Sequence, residues 1–206
     1  VYDISWTTTL LEQPGKLKFS VPSNVELVLD FATTVNLMVD EVPVFYGYVV
    51  NMNCTEDTIT YEAVDQMFYL KNKESYVFFG KTATQIFKAI CDDWKFTYKI
   101  VDECNWQVST RVHDGKSLYS IIAYGYDEAL VNTQNWFIIR DNYGTLEQIS
   151  LLSLKTNYYI SDDLNVTNFN YRKSIDRDSY NRVKLVQDNT KEGVRKVYVA
   201  QDDENQ

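Results

Sequence analysis

The sequence predicts a mainly β chain of the α+β class: β structure first, then a small α/β module with two helices, then β structure again. Three observations predict it. Helical periodicity is confined to the middle of the chain, between Gly80 and Leu130. The stretches on either side alternate polar and apolar residues at period two. Aromatic content is 15%, with 16 Tyr and 10 Phe against only 7 Gly, a composition that suits half-buried strand surfaces, where a ring packs and a phenol stays wet. Such a plan describes a scaffold better than an enzyme.

In order, Val1–Thr9 opens as a strand, and Glu12-Gln13-Pro14-Gly15 supplies turn chemistry, with a positive φ expected at the glycine. Lys16–Val21 alternates strictly. Val25–Phe31 and Thr34–Val39 continue the pattern, and Pro43 marks a strand edge or entry. Val44–Val50 is strongly β, and Gly47 within it implies a bulge or a close backbone approach. Thr58–Val64 follows a polar turn at Thr55–Asp57. So many short strands in so few residues predict an antiparallel barrel or sandwich over 1–72.

The α/β module is expected over 73–158. Thr82-Ala83-Thr84-Gln85 reads as a capping box, and Ile86, Phe87, Ile90, Cys91 and Trp94 then form one apolar stripe. A second helix is expected over about Lys116–Leu130, with Leu118, Ile121, Ile122, Gly125 and Ala129 on a shared face. Phe96–Val101 and Trp106–Arg111 read as short strands. Trp136–Arg140 and Thr145–Leu151 read as a hairpin turned by Asp141-Asn142-Tyr143-Gly144. Over 159–206, Leu164–Tyr171 returns to β, and Tyr180–Gln187 pairs with Val194–Ala200 in a hairpin that cannot bury a core alone.

The net charge of −9 argues against a general affinity for nucleic acid or an anionic membrane. No apolar run is long enough to span a bilayer, and no signal peptide is legible. Cys54, Cys91 and Cys104 are odd in number and lack metal spacing, so free or buried thiols are expected. The chain starts without Met and stops in the polar string Gln201–Gln206, which reads as a piece of something longer.

Several segments carry a family resemblance. These are Pro14–Val21, Val44–Val49, Tyr69–Lys73, Lys81-Thr82-Ala83, Arg111–Tyr119, Ser174-Ile175-Asp176, Asn181–Leu185 and Tyr198–Asp202. In this collinear order they resemble the baseplate hub proteins of contractile phage tails, tailocins and defective prophages, the XkdQ-like group, which is similar to the central hub of T4-like baseplates. The resemblance implies two tube-type antiparallel β-barrel domains around the module. The second would be incomplete here, because family members run on beyond Gln206. It also implies a structural role: a trimeric ring that joins the tail tube protein to the central spike protein, with other baseplate proteins as further partners, assembled in the bacterial cytoplasm and carried in the particle. The alternative class is a tail-associated peptidoglycan hydrolase, since some members are labelled cell-wall hydrolases. A lumen lined by Asp and Glu would fit the net charge, as would ordinary solubility.

No cofactor, metal or catalytic residue is expected. His113 is the only His and has no nucleophile motif beside it. Cys91 lies on the apolar stripe. Cys104 follows Asp102-Glu103, whose charges should raise its thiol pKa. A glycosidase needs two carboxylates, and Asp92, Asp93, Asp102, Glu103, Asp127 and Glu128 are the nearest candidates among 29 acids. Asp162-Asp163 reads as a loop pair, and the sequons at Asn53 and Asn165 have no meaning without a secretory route. Binding of cell-wall sugars through exposed Trp and Tyr is a third reading. As interface residues we single out Phe45, Tyr46, Tyr48, Val183 and Val197.

Overall fold

In a computed structural model of the chain, residues 1–25, 27–158, 161, 180, 182–187, 193 and 195–201 are described. The chain divides into two units, Val1–Thr156 and Asn157–Gln206. The first unit holds two separate apolar cores.

The first core belongs to a five-stranded antiparallel sheet in the order β1-β2-β5-β4-β3, formed by β1 (Tyr2–Thr7), β2 (Lys16–Pro22), β3 (Thr34–Val39), β4 (Val42–Cys54) and β5 (Thr58–Val64). It curls into half a barrel. The alternation in β2 places Leu17, Phe19 and Val21 inside, against Phe45 and Val49 of β4 and Tyr61 and Ala63 of β5. Phe19 faces Tyr61 across the β2–β5 ladder, ring centroids 5.5 Å apart. Gly47 lies on that inner face because a β-carbon there would sit 2.3 Å from the Val64 carbonyl oxygen and 2.5 Å from the Phe45 ring. The close approach is therefore at Gly47, whereas the bulge lies further on, between Val49 and Asn51 in the pairing with β5.

Two expectations in this region need correction. Val25–Phe31 forms no strand among its described residues. Two of its backbone groups are met from the side, where the Tyr61 hydroxyl donates to the Leu27 carbonyl and accepts from the Leu29 N–H, both at 3.2 Å, and just beyond it the Ala32 N–H donates to the Val49 carbonyl at 2.9 Å. A loop whose polar groups are met by a buried phenol and a neighbouring strand needs no ladder of its own. In the turn before β2, the positive φ falls on Glu12 (62°) and not on Gly15.

The second core is the α/β module. A short 3₁₀ helix (Gln66–Lys71) leads into β6 (Lys73–Phe78), then α1 (Ala83–Asp93), β7 (Tyr98–Ile100), β8 (Arg111–Ser117), α2 (Leu118–Thr133), β9 (Phe137–Asp141) and β10 (Leu146–Ser150), and a second 3₁₀ turn (Leu151–Leu154). The capping box forms as expected: the Gln85 N–H donates to Thr82 Oγ1, and the Thr82 N–H donates to Gln85 Oε1. Both apolar stripes are buried against each other and against Phe137, Ile139 and Leu146. α2 starts later than expected. Ser117 is its N-cap, accepting from the Ser120 N–H, because Arg111–Ser117 is taken up by the ladder with β6. The strand expected over Trp106–Arg111 shrinks to one bridge, Thr82 with Gln107.

β10 is the centre of a three-stranded sheet, parallel to β7 and antiparallel to β9. All five of its residues are buried, including Glu147 and Gln148. The charge is met by Arg140, whose Nε and Nη2 donate to Glu147 Oε2 at 3.0 and 2.8 Å, and by Asn142 Nδ2 at 3.0 Å on Oε1. These bonds hold the Glu147 carboxyl below its ordinary pKa against the raising effect of burial.

In the second unit, β11 (Arg182–Gln187) and β12 (Lys196–Gln201) pair antiparallel with Val183 opposite Ala200 and Val186 opposite Val197. Every residue of both strands is exposed, as expected for a hairpin without a core of its own. The expected strand Leu164–Tyr171, the pair Asp162-Asp163, the sequon at Asn165 and the segment Ser174-Ile175-Asp176 lie outside the described residues.

Candidate functional site

The joint between the half-barrel and the module concentrates groups that the sequence reading did not single out. Asp65 directly follows β5 and caps the 3₁₀ helix. Its Oδ2 accepts the Gly15 N–H at 2.7 Å and its Oδ1 accepts the Met67 N–H at 3.0 Å. Asp141 ends β9 and caps the hairpin turn, accepting the Gly144 N–H at 2.9 Å on Oδ1, while among the described residues no well-formed hydrogen bond reaches its buried Oδ2. Both acids are driven up. Burial, with the Asp141 charge added, pushes Asp65 up to about 7 against the pull of its two amide donors. Burial pushes Asp141 up to about 6, with Glu147 adding to it and bonds from Gly144 and Gln66 opposing. Gln66 Nε2 also donates to the Gly144 carbonyl.

Tyrosines surround this joint. Tyr46 meets Tyr48 and Tyr143 edge-on, with centroids 5.8 and 5.7 Å apart, and Tyr48 meets Tyr69 at 6.1 Å. The hairpin turn has positive φ at Tyr143 (51°) and Gly144 (81°), the pairing that a two-residue turn between antiparallel strands requires. A β-carbon on Gly144 would lie 2.8 Å from the Tyr46 ring. The turn glycine thus serves the turn and the docking of Tyr46 together. The arrangement binds two substructures; each Asp65 oxygen is held by a backbone amide rather than offered outward.

The sequence-derived candidates separate in this structure. Phe45 is 3% exposed, inside the half-barrel, and Tyr46 and Tyr48 are half-buried at the joint. Val183 and Val197 are 51% and 48% exposed. His113 lies within β8, shortly before α2. Its ring stacks edge-on over Tyr124 at 5.3 Å, and Arg111 covers that ring at 4.9 Å. Burial, then Arg111 and Lys116, lower its pKa. Ser120 borders the same shallow cavity, but its hydroxyl donates to the Ser117 carbonyl at 2.9 Å. Cys91 is buried and its thiol is pushed up to about 12 by burial, then Asp92. Cys104 is raised too, yet by burial and not by the preceding acids.

Four of the candidate carboxylates are each engaged by a different partner. Asp92 accepts the Tyr98 hydroxyl at 2.9 Å, Asp93 accepts the Tyr76 hydroxyl, Asp102 accepts the Ser150 N–H at 2.9 Å and Glu128 accepts the Ser109 N–H at 2.9 Å. Burial raises Glu128, but the bonds from Ser109, Tyr124 and Trp106 outweigh it and lower its pKa. Among the described residues, no three His, Cys, Asp or Glu side chains gather as a metal site, and no helix is long and apolar enough to cross a membrane.

The pattern of the YqbQ-like family matches residues 4–206. The chain belongs to the YqbQ-like family. Protein YqbQ of Bacillus subtilis (strain 168) is 27% identical over 143 residues, which cover 68% of this chain and 44% of that protein. Among solved structures, the tail protein from Neisseria meningitidis MC58 has a TM-score of 0.67 at 11% identity, covering 95% of this chain and 61% of that one. The 43 kDa tail protein of prophage MuSo2 from Shewanella oneidensis has a TM-score of 0.53 at 16% identity, covering 70% and 47%. At these identities the likeness is one of fold. The chain spans about half the length of the relatives it matches. Within this YqbQ-like fold, the signal that would have found the joint is Asp65 itself, an acid following an apolar strand directly before a turn of helix.

Proposed function

We propose that this YqbQ-like chain is a structural component of the tail of a phage or phage-tail-like particle. The observation that carries the reading is the fold shared with the Neisseria meningitidis tail protein over 95% of the chain, supported by the likeness to the MuSo2 tail protein. The finer reading is a baseplate hub. Residues 1–72 and 159–206 belong to tube-type domains flanking the 73–158 module, and three copies form a ring that connects tail tube to spike. Exposed apolar strand surfaces, such as those carrying Val183 and Val197, are what an assembly subunit presents to partners. Chemistry plays no part in this reading. A hydrolase would need a protonated acid and a second carboxylate turned toward substrate, whereas Asp65 is turned to the backbone amides of Gly15 and Met67.

Deleting the gene from a particle-producing strain and imaging the released particles tests the reading. Tails should be missing or should lack a baseplate. Intact tails with normal baseplates would overturn the tail role. A native mass of three copies for the full-length protein supports the ring, and a monomer at high concentration means that tube or spike must template it.

A further inference from the structure

We infer that the module carries a binding site for an uncharged saccharide in the concavity between the 103–106 segment and the end of α2. The hollow has a volume of about 450 Å³, within the range of roughly 300–1,000 Å³ typical of small-molecule sites. Its floor is apolar: Phe137 and Cys104 are buried there. Trp106 forms a half-buried wall. Its indole N–H is already directed to Glu128 Oε2 at 3.4 Å, so what remains for a ligand is the flat ring. An aromatic face is the surface on which the C–H side of a pyranose ring packs.

The rim is polar in a specific way. Thr133 is spent within the chain: its hydroxyl donates to the Ala129 carbonyl at 2.7 Å and accepts the Asn135 N–H at 3.3 Å. Asn135 Oδ1 accepts the Ser150 hydroxyl at 2.8 Å, which leaves its Nδ2 as a donor. Among the described residues, nothing in the protein engages that amide group, the Asn105 side chain or the Glu103 carboxylate. Donors and acceptors together suit hydroxyl groups, which do both. Among the described residues, no Lys or Arg lines the hollow, and Glu103 would repel phosphate or carboxylate. An apolar floor with a neutral-to-acidic rim therefore selects a neutral sugar over an anionic ligand.

The site is also held rigid without its ligand. The Cys104 N–H donates to Thr84 Oγ1 at 2.7 Å, the Thr84 hydroxyl donates to the Cys104 carbonyl at 3.2 Å, and the Ala83 N–H donates to the Trp106 carbonyl at 3.0 Å. The segment is thus fastened to the first turn of α1, and Gln148 Nε2 fixes Thr84 from behind at 2.7 Å. A site set in place before binding loses less ordering entropy on binding. This inference stands on the hollow alone and is independent of the tail reading.

The test is a titration of the full chain with chitotriose, and in parallel with cellotriose, followed by the NMR signals of the Trp106 indole N–H and the Asn105 and Asn135 side-chain amides. Saturable shifts of these signals with at least one trisaccharide are expected. Asn105→Ala, an exposed change that leaves folding intact, should weaken binding about tenfold, and Trp106→Phe should retain it. Glucose 6-phosphate should shift the signals less than glucose at equal concentration. Absence of shifts with both trisaccharides at millimolar concentration, shifts unaffected by Asn105→Ala, or stronger binding of the phosphorylated sugar would each overturn the proposal.

Discussion

The backbone N–H of Gly15 donates to the Asp65 carboxylate at 2.7 Å, and a β-carbon on Gly15 would lie 2.6 Å from the same oxygen. Fifty positions apart in sequence, these residues close the lower end of β2 against the start of the 3₁₀ helix. Gly15→Ala should cost about 1–3 kcal/mol through overpacking. Asp65→Ala should cost a similar amount by leaving the buried Gly15 and Met67 amides unpaired. Urea denaturation of the two variants checks both values, and an unchanged midpoint for Gly15→Ala would contradict the contact.

The joint makes stability pH-dependent. Asp65 and Asp141 bind a proton more tightly folded than unfolded, because burial raises them from 3.8 to about 7 and about 6. Their contribution is therefore complete below the ordinary carboxylate range and is lost as pH rises through 6 and 7. Between pH 5 and pH 8 the loss should be on the order of 4 kcal/mol. Thermal melts across that range should show a falling Tm in the wild type and a shallower slope in Asp141→Asn, whose amide keeps the oxygen that Gly144 needs. Equal slopes in the two proteins would show that the pair does not titrate in this window.

Gln148 is fully buried and fully used. Its amide donates to Thr84 Oγ1 and the Asp102 carbonyl, each at 2.7 Å, and accepts the Tyr126 hydroxyl at 2.8 Å. Gln148→Leu keeps the volume but strands the buried phenol and the Asp102 carbonyl, so a loss of about 2–4 kcal/mol is expected. Adding Tyr126→Phe to that variant should recover part of the loss, since it removes one stranded donor. A double-mutant cycle with no coupling between the two sites would refute this account.

Val183 and Val197 offer a way to separate folding from assembly. Both are about half exposed on the β11–β12 hairpin, so Val183→Asp and Val197→Asp should change the stability of the chain by less than about 0.5 kcal/mol. If those strands form contacts between subunits, the same changes should reduce the oligomer in native mass measurements. A large drop in Tm with oligomer mass unchanged would assign these valines to packing within the chain.

The sequence by itself determined what depends on neighbours in the chain. The capping box at Thr82 and Gln85, the apolar stripes of both helices, the alternation of β2 and the Tyr143–Gly144 turn all rest on local periodicity and backbone preference, and each is legible from residues a few positions apart. Tertiary structure decided whatever depends on distant partners. Val25–Phe31 has strand-like composition, yet Tyr61 meets the Leu27 carbonyl and the Leu29 N–H, and no ladder forms among its described residues. Thr145–Leu151 reads only as one arm of a hairpin, yet Leu146–Ser150 is buried on both faces because Arg140, Asn142, Tyr126 and Thr84 satisfy its polar side chains. The joint of Asp65 with Gly15 was hidden for the same reason. A carboxylate becomes buried and perturbed only when chain segments far apart in sequence fold around it, and single-sequence periodicity carries no record of that meeting.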